Sequence, residues 1–446
     1  METLEIIKEL LENKSWKALK ELLDEMNEQD IAEIFMELEE RDLTLIYRLL
    51  NKELAAEVFV NMEPEYQEQL IRAFSDSELR EVLDELYVDD AVDLIEEMPS
   101  SLVKRILKHT DPETRKKINE ILKYPEDSAG SIMTIEYVDL KRSMTVADAF
   151  TRIRRTGVDK ETIYTCYVTD SKRKLKGVVT VKELLLADEN ATIREIMEDN
   201  VISVNTSEDK EVVADLFEKY DLLALPVVDR ENRLVGIITV DDAIDVMQEE
   251  ITEDMELMAA ITPTDKPYLK MSVFENFKKR IPWLMLLMVS ATFTEKIITH
   301  FEGALTACVA LTAFIPMLTG TCGNCGNQSS STIIRGISLG EIEFKDTLKV
   351  VLKEFSIALI CGIALAIVNF AKLMIFDDVG WQIALVVSVT MIAAVVFAKV
   401  VGSILPVIAK KIGFDPAVMS SPFISTIVDA VTLLIYFTIA SSLLNV

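Results

Sequence analysis

The last apolar stretch of the chain, SSPFISTIVDAVTLLIYF, carries one acid, Asp429. Asp429 lies twelve residues past Ala417, so at about 1.5 Å of rise per helical residue it is about 18 Å into a hydrocarbon layer roughly 30 Å thick. A carboxylate at that depth costs at least about 2.5–3.5 kcal/mol, which is why such residues face a bundle interior or a water-filled path. Ser421, Ser425, Asp429 and Thr432 recur at i, i+4, i+8 and i+11, one stripe of oxygen-bearing side chains on an otherwise apolar helix. A hard cation such as Mg2+ takes oxygen ligands, dehydrates reluctantly, and is held by one or two carboxylates through retained water. One Asp per subunit of a symmetric dimer would supply that pair. The bland alternative is an Asp that bonds to a neighbouring helix and has no transport role.

Two further segments carry chemistry. TGTCGNCGNQSSSTIIRG, Thr319 to Gly336, is rich in Gly, amides and hydroxyls, and cannot face lipid with its polar groups unsatisfied. It is expected to line a cavity or a cytoplasmic mouth. Its Cys322 and Cys325 form a lone C-x-x-C with no second pair or His nearby, so no zinc site is expected there. His109 and His300, the two histidines of the chain, read as surface residues. The second segment, TVDDAIDVMQEEITEDME, places Asp241, Asp242, Asp245, Glu249, Glu250, Glu253 and Asp254 within fourteen residues. Like charges at i, i+4 destabilise a helix unless counter-ions bind. A solvated acidic face is the plainer reading.

The elements that must position these groups fall into five blocks. Residues 1–127 read as helices, with a loose repeat in DIAEIFMEL, ELAAEVFVNM and DDAVDLIEEM that suggests a small superhelical solenoid. Residues 128–187 and 188–250 repeat one another: Asp170 aligns with Asp229, Leu175 with Leu234, Gly177 with Gly236 and Thr180 with Thr239. Each unit predicts strand, helix, strand, turn, strand, helix. Residues 251–272 read as a connecting helix interrupted near Pro263 and Pro267. Residues 273–446 hold five apolar spans, at 281–300, 303–320 with a polar extension, 355–376, 381–409 and 417–444. Lys399 lies inside the fourth with no obvious partner.

Charge separates the two halves. Residues 271–446 contain 12 of the 46 Lys and Arg and 11 of the 74 Asp and Glu, leaving 34 basic against 63 acidic residues in the first 270. That surplus suits cations and is a poor match to nucleic acid, which selects Lys and Arg. Four of the five cysteines lie in the apolar half, which argues for reduced thiols. The amino end, METLEIIKELLENK, is amphipathic and acidic where a secretory signal would be basic and then apolar, so it is expected to stay in the cytoplasm. Lys278, Lys279, Arg280, Arg335, Lys345, Lys349, Lys353, Lys410 and Lys411 then fall on the cytoplasmic side, and five crossings put the carboxyl end outside. No nucleophile–base pair or phosphate-cradling loop appears, so no enzymatic activity is expected.

The paired repeat resembles tandem cystathionine-β-synthase (CBS) domains, a module that commonly binds adenine nucleotides or senses ions. With GNCGNQSSSTIIRG and SPFISTIVDAVTLLIY, the order of domains resembles the MgtE family of magnesium channels over essentially the whole chain. The resemblance implies a multidomain protein of the cell membrane: an all-α acidic amino-terminal domain, an α/β CBS pair and an all-α transmembrane bundle of five helices. It implies a homodimer that passes Mg2+ down its electrochemical gradient and closes when cytoplasmic Mg2+ binds between soluble domains. By position, Asp429 resembles the pore aspartate that holds hydrated Mg2+, with the Ser425 carbonyl at the same site. Asp415 resembles an acid at the cytoplasmic pore entrance that meets the connecting helix through Mg2+. Asp242, Asp245, Glu250, Glu253 and Asp254 resemble sensor residues, paired with Asp89 and Asp93. ATP is the implied ligand of the CBS pair, although Leu222 occupies a position where an aromatic can stack on adenine. Ser421 stands where the family often has Asn, which bears on discrimination among divalent ions. A transporter that couples cation movement to Na+ or H+, with Asp429 as the shared site, fits the same residues.

Overall fold

The computed structural model describes residues 2–264, 266, 268–269, 271–377, 379–419 and 421–444, without the side chains of Glu2, Asp159 and Ser421. Contacts divide the chain into two compact units, Met1–Met247 and Gln248–Val446.

The first unit begins with short helices, from Glu2–Glu12 to Pro112–Ile121. Local chemistry sets their starts: Asn27, Asn51 and Asp111 accept backbone N–H groups at helix N-termini, and Ser75 forms a capping box with Glu78. The loose repeat maps onto helices Glu28–Met36, Lys52–Val60 and Val88–Glu97, whose buried faces include Ile31–Ala32–Phe35, Ala55–Ala56–Phe59 and Ala91–Val92–Ile95. The shared small and apolar positions are therefore the ones that stack between neighbours.

The two repeats fold alike. Strands β1 (Asp139–Lys141), β2 (Thr165–Thr169) and β3 (Leu175–Thr180) form one sheet, and β4 (Val204–Asn205), β5 (Ala224–Val228) and β6 (Leu234–Thr239) the other. In each, the first pair is parallel and the second antiparallel, with a register shift in the middle strand at the same place. The repeated residues have the same tasks. The carboxylate of Asp170 accepts the N–H groups of Lys172 and Lys174, and that of Asp229 those of Glu231 and Arg233, closing both hairpin turns. Thr180 caps the helix Val181–Leu186 with Glu183, and the Thr239 hydroxyl donates to Asp242 at the equivalent point. One continuous core joins the helical domain to the second repeat, through Ile106, Ile118, Ala129, Val213, Leu225 and Ile238.

Two sequence expectations change here. The connecting helix is not confined to 251–272: it starts at Val240, directly after β6, and ends at Met258. Ala260 then adopts a left-handed φ of 54°, and the stretch through Thr262 and Pro263 is non-helical; Pro267 lies outside the described residues. Among the described residues, four helices are long and apolar enough to cross a membrane: Val273–His300, Phe344–Ile375, Trp381–Lys411 and Pro416–Leu444. The span expected at 303–320 is broken into a short helix, Glu302–Ala307, a 3-10 turn, Val309–Phe314, and the start of a 24-residue helix, Ile315–Ser338. That glycine-rich helix contains the whole polar segment. Regular helix satisfies its backbone internally; its buried side includes Cys322, Gly323, Gly326, Ser329 and Ser330, and its exposed side Asn324, Gln328, Ser331 and Thr332.

Close packing holds it there. A Cβ on Gly402 of the helix Trp381–Lys411 would stand 2.3 Å from the Gly326 carbonyl oxygen, so the two backbones approach as only paired glycines allow. The helix Thr347–Ile375 packs along Trp381–Lys411, with Ala358, Gly362 and Ala366 buried. The terminal helix, Ser421–Leu444, closes the group: Tyr436 donates to the Leu311 carbonyl at 2.9 Å, and Phe301 stacks on Phe437.

Candidate functional site

The terminal helix brings Ser425 and Asp429 onto one face, each half-buried. That face meets the glycine-rich helix at Gly323, where a Cβ would come 3.7 Å from the Ser425 hydroxyl and 3.9 Å from Asp429 Oδ1. One turn on, Asn327 donates its amide to the Ser425 hydroxyl at 3.3 Å, and one turn further Ser330 donates to the Met419 carbonyl at 3.5 Å. Gly323, Asn327 and Ser330 at i, i+4 and i+7 form the opposing wall. The Asn327 carbonyl oxygen is buried with no partner among the described residues. No hydrogen bond or ion pair among the described residues engages the Asp429 carboxylate either.

The rest of the stripe differs from expectation. Thr432 is fully buried and meets protein instead of water, and the Ser421 side chain lies outside the described residues. In unbroken helix the Ser425 carbonyl belongs to the backbone ladder with one lone pair left over. It is the Ser425 hydroxyl that engages the opposing wall. Sequence reasoning singled out the segment holding Asn327 but not the residue, although an amide four residues after a glycine in a buried helix was a usable signal.

The expected sensor acids fall into two groups. Helix Val88–Glu97 carries Asp89, Asp90 and Asp93, and near them stand Asp242, Asp241 and two acids that the sequence reading missed, Glu161 and Glu136. Burial, then repulsion from Asp90 and Asp242, pushes the Asp89 carboxyl well above its usual range. Burial, then Asp242, lifts Asp90 to about 6. Burial lifts Asp242 to about 6 against the hydrogen bond from Thr239, with Asp241 and Asp245 adding to the rise. Burial, followed by Asp90 and Asp242, lifts Glu161 to about 8. One Asp89 oxygen is buried without a hydrogen-bond partner among the described residues, whereas Asp93 is exposed.

The second group belongs to the later part of the helix Val240–Met258, past Gln248. Asp254, half-buried, is lifted to about 6 by burial and then by Asp415, while the Ser338 hydroxyl, 3.5 Å away, opposes the rise. Glu253 adds to the field at Asp254, and Glu250 is half-buried on the same helix. Asp415 is exposed and accepts the Ala417 N–H at 2.7 Å. Asp415 lies near enough to Asp254 of the connecting helix to raise the proton affinity of its carboxyl.

Among the described residues, no three His, Cys, Asp or Glu side chains converge closely enough to hold a bare metal ion. Cys322 and Cys325 are free and buried.

The model of the MgtE family, described as a divalent cation transporter, matches residues 315–439; that of the MgtE intracellular N domain matches 26–127, and CBS domains match 129–190 and 193–249. The chain is 37% identical over 404 residues to the magnesium transporter MgtE of Thermus thermophilus, covering 90% of this chain and 89% of that one. It is 33% identical over 396 residues to the magnesium transporter MgtE of Bacillus subtilis, covering 86% and 84%. The crystal structure of the cytosolic domain of the Mg2+ channel MgtE in complex with ATP, 40% identical, covers 54% of this chain and 98% of its own, with a TM-score of 0.52. The soluble part of a magnesium transporter, 32% identical, gives 0.53 over 56% and 98%. The glycine-rich wall opposite Asp429, the paired repeats and the acidic helical domain each fall within these matches, and with identity of this level along nine-tenths of the sequence the chain belongs to the MgtE family of magnesium transporters.

Proposed function

We propose that two copies of this chain form a Mg2+-selective channel in the cell membrane, with the soluble domains in the cytoplasm and the carboxyl end outside. Mg2+ enters down its electrochemical gradient through a path lined by Asp429, the Ser425 hydroxyl and the Asn327 amide. Asp429 from each subunit supplies one of two carboxylates. The ion passes hydrated, because one acid per chain, set among neutral oxygens, pairs with water-borne charge without stripping the shell. The observation that carries this reading is the Asp429 carboxylate itself: a charge inside a membrane helix, half-buried and unbonded among the described residues, finds its counter-charge in the permeant ion.

Closure uses the soluble acids. Without Mg2+ the group around Asp89, Asp90, Asp242 and Glu161 is buried and, after that, crowded with like charge, which together raise its proton affinities. Mg2+ bound there, with Asp93 and Asp245 at the margin, relieves the repulsion and favours a compact closed state. At the membrane end, Mg2+ bridging Asp254 and Asp415, with Glu250 and Glu253 beside them, holds the connecting helix at the pore entrance. The permeant ion is then its own negative effector. ATP occupies the CBS pair, by likeness to the cytosolic domain solved with it.

The test is Mg2+ flux into proteoliposomes holding the full chain, with Mg2+ varied on each side separately. Asp429→Ala is expected to abolish uptake, and deletion of residues 1–127 to leave conduction while weakening closure. Uptake that survives Asp429→Ala removes the pore assignment. A flux that requires a Na+ or pH gradient replaces the channel with a coupled transporter.

A further inference from the structure

Lys399, alone in its apolar helix when read from sequence, has partners in the fold. Its ammonium lies 3.7 Å from Glu354 Oε2 and 3.2 Å from the Ser329 hydroxyl oxygen, and the Ser329 hydroxyl donates to the same Glu354 oxygen at 2.6 Å. The two charged side chains are 6% and 10% exposed. Three helices meet at this point: Ser329 belongs to Ile315–Ser338, Glu354 to Thr347–Ile375 and Lys399 to Trp381–Lys411.

Buried ion pairs add little net stability, since apolar residues of similar volume pack as well or better. Their best-attested use is to fix register. The glycine-rich helix meets Trp381–Lys411 backbone against backbone at Gly326 and Gly402, and the Ser329 hydroxyl adds a directional tie between the two. A rotation of about 20° carries a side-chain tip, roughly 5 Å from the helix axis, through about 2 Å. That displacement breaks the 3.3 Å bond from Asn327 to Ser425. Ser329 follows Asn327 by two residues, about 200° around the helix, so it holds the side opposite to the one that Asn327 presents to Ser425.

We propose that Glu354, Lys399 and Ser329 form a positioning network that fixes the rotation of the glycine-rich helix, and thereby sets the affinity and size preference of the Ser425–Asp429 face for divalent cations. The proposal rests on the reading of that face as the ion site. Ser329→Ala is the mildest probe, because it removes the hydroxyl tying the glycine-rich helix to the pair and leaves both charges together. Lys399→Met and Glu354→Gln break the pair, and the exchange Glu354→Lys with Lys399→Glu restores it reversed.

Mg2+ and Ca2+ fluxes are measured for the full chain in proteoliposomes, each variant first shown to be monodisperse in detergent. Ser329→Ala is expected to raise half-saturating Mg2+ by about three- to tenfold with a smaller change in maximal rate, and to reduce the preference for Mg2+ over the larger Ca2+. The single charge variants go further in the same direction, and the exchange returns half-saturation to within about threefold of the parent. If the charge variants do not fold, Ser329→Ala decides. Folded Ser329→Ala protein with the parent's half-saturation and ion preference overturns the proposal, and so does a folded exchange variant no better than the singles. Uptake that survives Asp429→Ala strikes at the ion site itself, whereas uptake abolished by Asp429→Ala and untouched by Ser329→Ala strikes at the positioning network alone.

Discussion

Asn327 donates its amide to the Ser425 hydroxyl at 3.3 Å, joining the glycine-rich helix to the terminal helix one turn from Asp429. The bond leaves the Asn327 carbonyl oxygen buried and unpartnered within the described chain. A buried acceptor in that state costs about 1–3 kcal/mol unless something donates to it. The water shell of a dication is such a donor.

Asn327→Ala is therefore expected to lower Mg2+ uptake by about tenfold, the equivalent of about 1.4 kcal/mol, while the protein stays folded. Proteoliposome flux read beside thermal unfolding in detergent checks both halves. Parent-like uptake by a folded variant means that Asn327 only bonds helix to helix.

Backbone contact sets a second expectation. A methyl group on Gly402 would fall 2.3 Å from the Gly326 carbonyl, and neither backbone has a flexible end that can yield. Overpacking of this kind costs about 1–3 kcal/mol, sometimes more. Gly402→Ala is expected to lower Tm in detergent by about 5 °C or to prevent recovery of monodisperse protein. A variant as stable as the parent means that the helices separate freely.

The acids of the first unit make stability depend on pH. Asp90 and Asp242 are lifted to about 6 and Glu161 to about 8, against about 4 in an unfolded chain. Between those limits the folded state keeps protons that the unfolded state has released, so stability falls as pH rises through the window. In EDTA, the Tm of the soluble part is expected to be several degrees lower at pH 8 than at pH 5. Mg2+ competes for the deprotonated groups and should restore it at pH 8 while doing little at pH 5. Differential scanning calorimetry in the four conditions decides; an equal Mg2+ effect at both pH values means that the ion binds elsewhere.

The CBS pair was legible because its repeated residues have local tasks. Asp170 and Asp229 close hairpins, and Thr180 and Thr239 start helices, within four residues of themselves. Asp429 was legible because a charge in an apolar helix stands out at any distance. Its partners were less so. Asn327 reaches Ser425 across 98 positions, and Glu161 joins Asp90 and Asp242 from a different element of the fold. A lone Lys399 announces that a partner exists without naming Glu354. The span expected at 303–320 is interrupted by a 3-10 turn, and the long helix begins at Ile315 with one side buried against its neighbours and the other, with Asn324, Gln328, Ser331 and Thr332, exposed.

Asp254 and Asp415 pose the sharpest question about gating, because one geometry permits opposite outcomes. Burial and then the nearby Asp415 hold Asp254 up at about 6, and the Ser338 hydroxyl, 3.5 Å away, opposes the rise. If Mg2+ bridges Asp254 and Asp415, Asp415→Asn removes one anchor, and the cytoplasmic-side Mg2+ needed to halve the flux should rise by about tenfold or more. Asp254→Asn should do the same, and the double variant should add little, because the pair acts as one unit. If the two acids merely repel, either substitution relieves the strain and closure should need less Mg2+, not more. Flux against cytoplasmic-side Mg2+ for the three variants separates the cases by sign: a rightward shift shared by both singles identifies a bridged pair, and a leftward shift in either one leaves the closing role to the acids around Asp242.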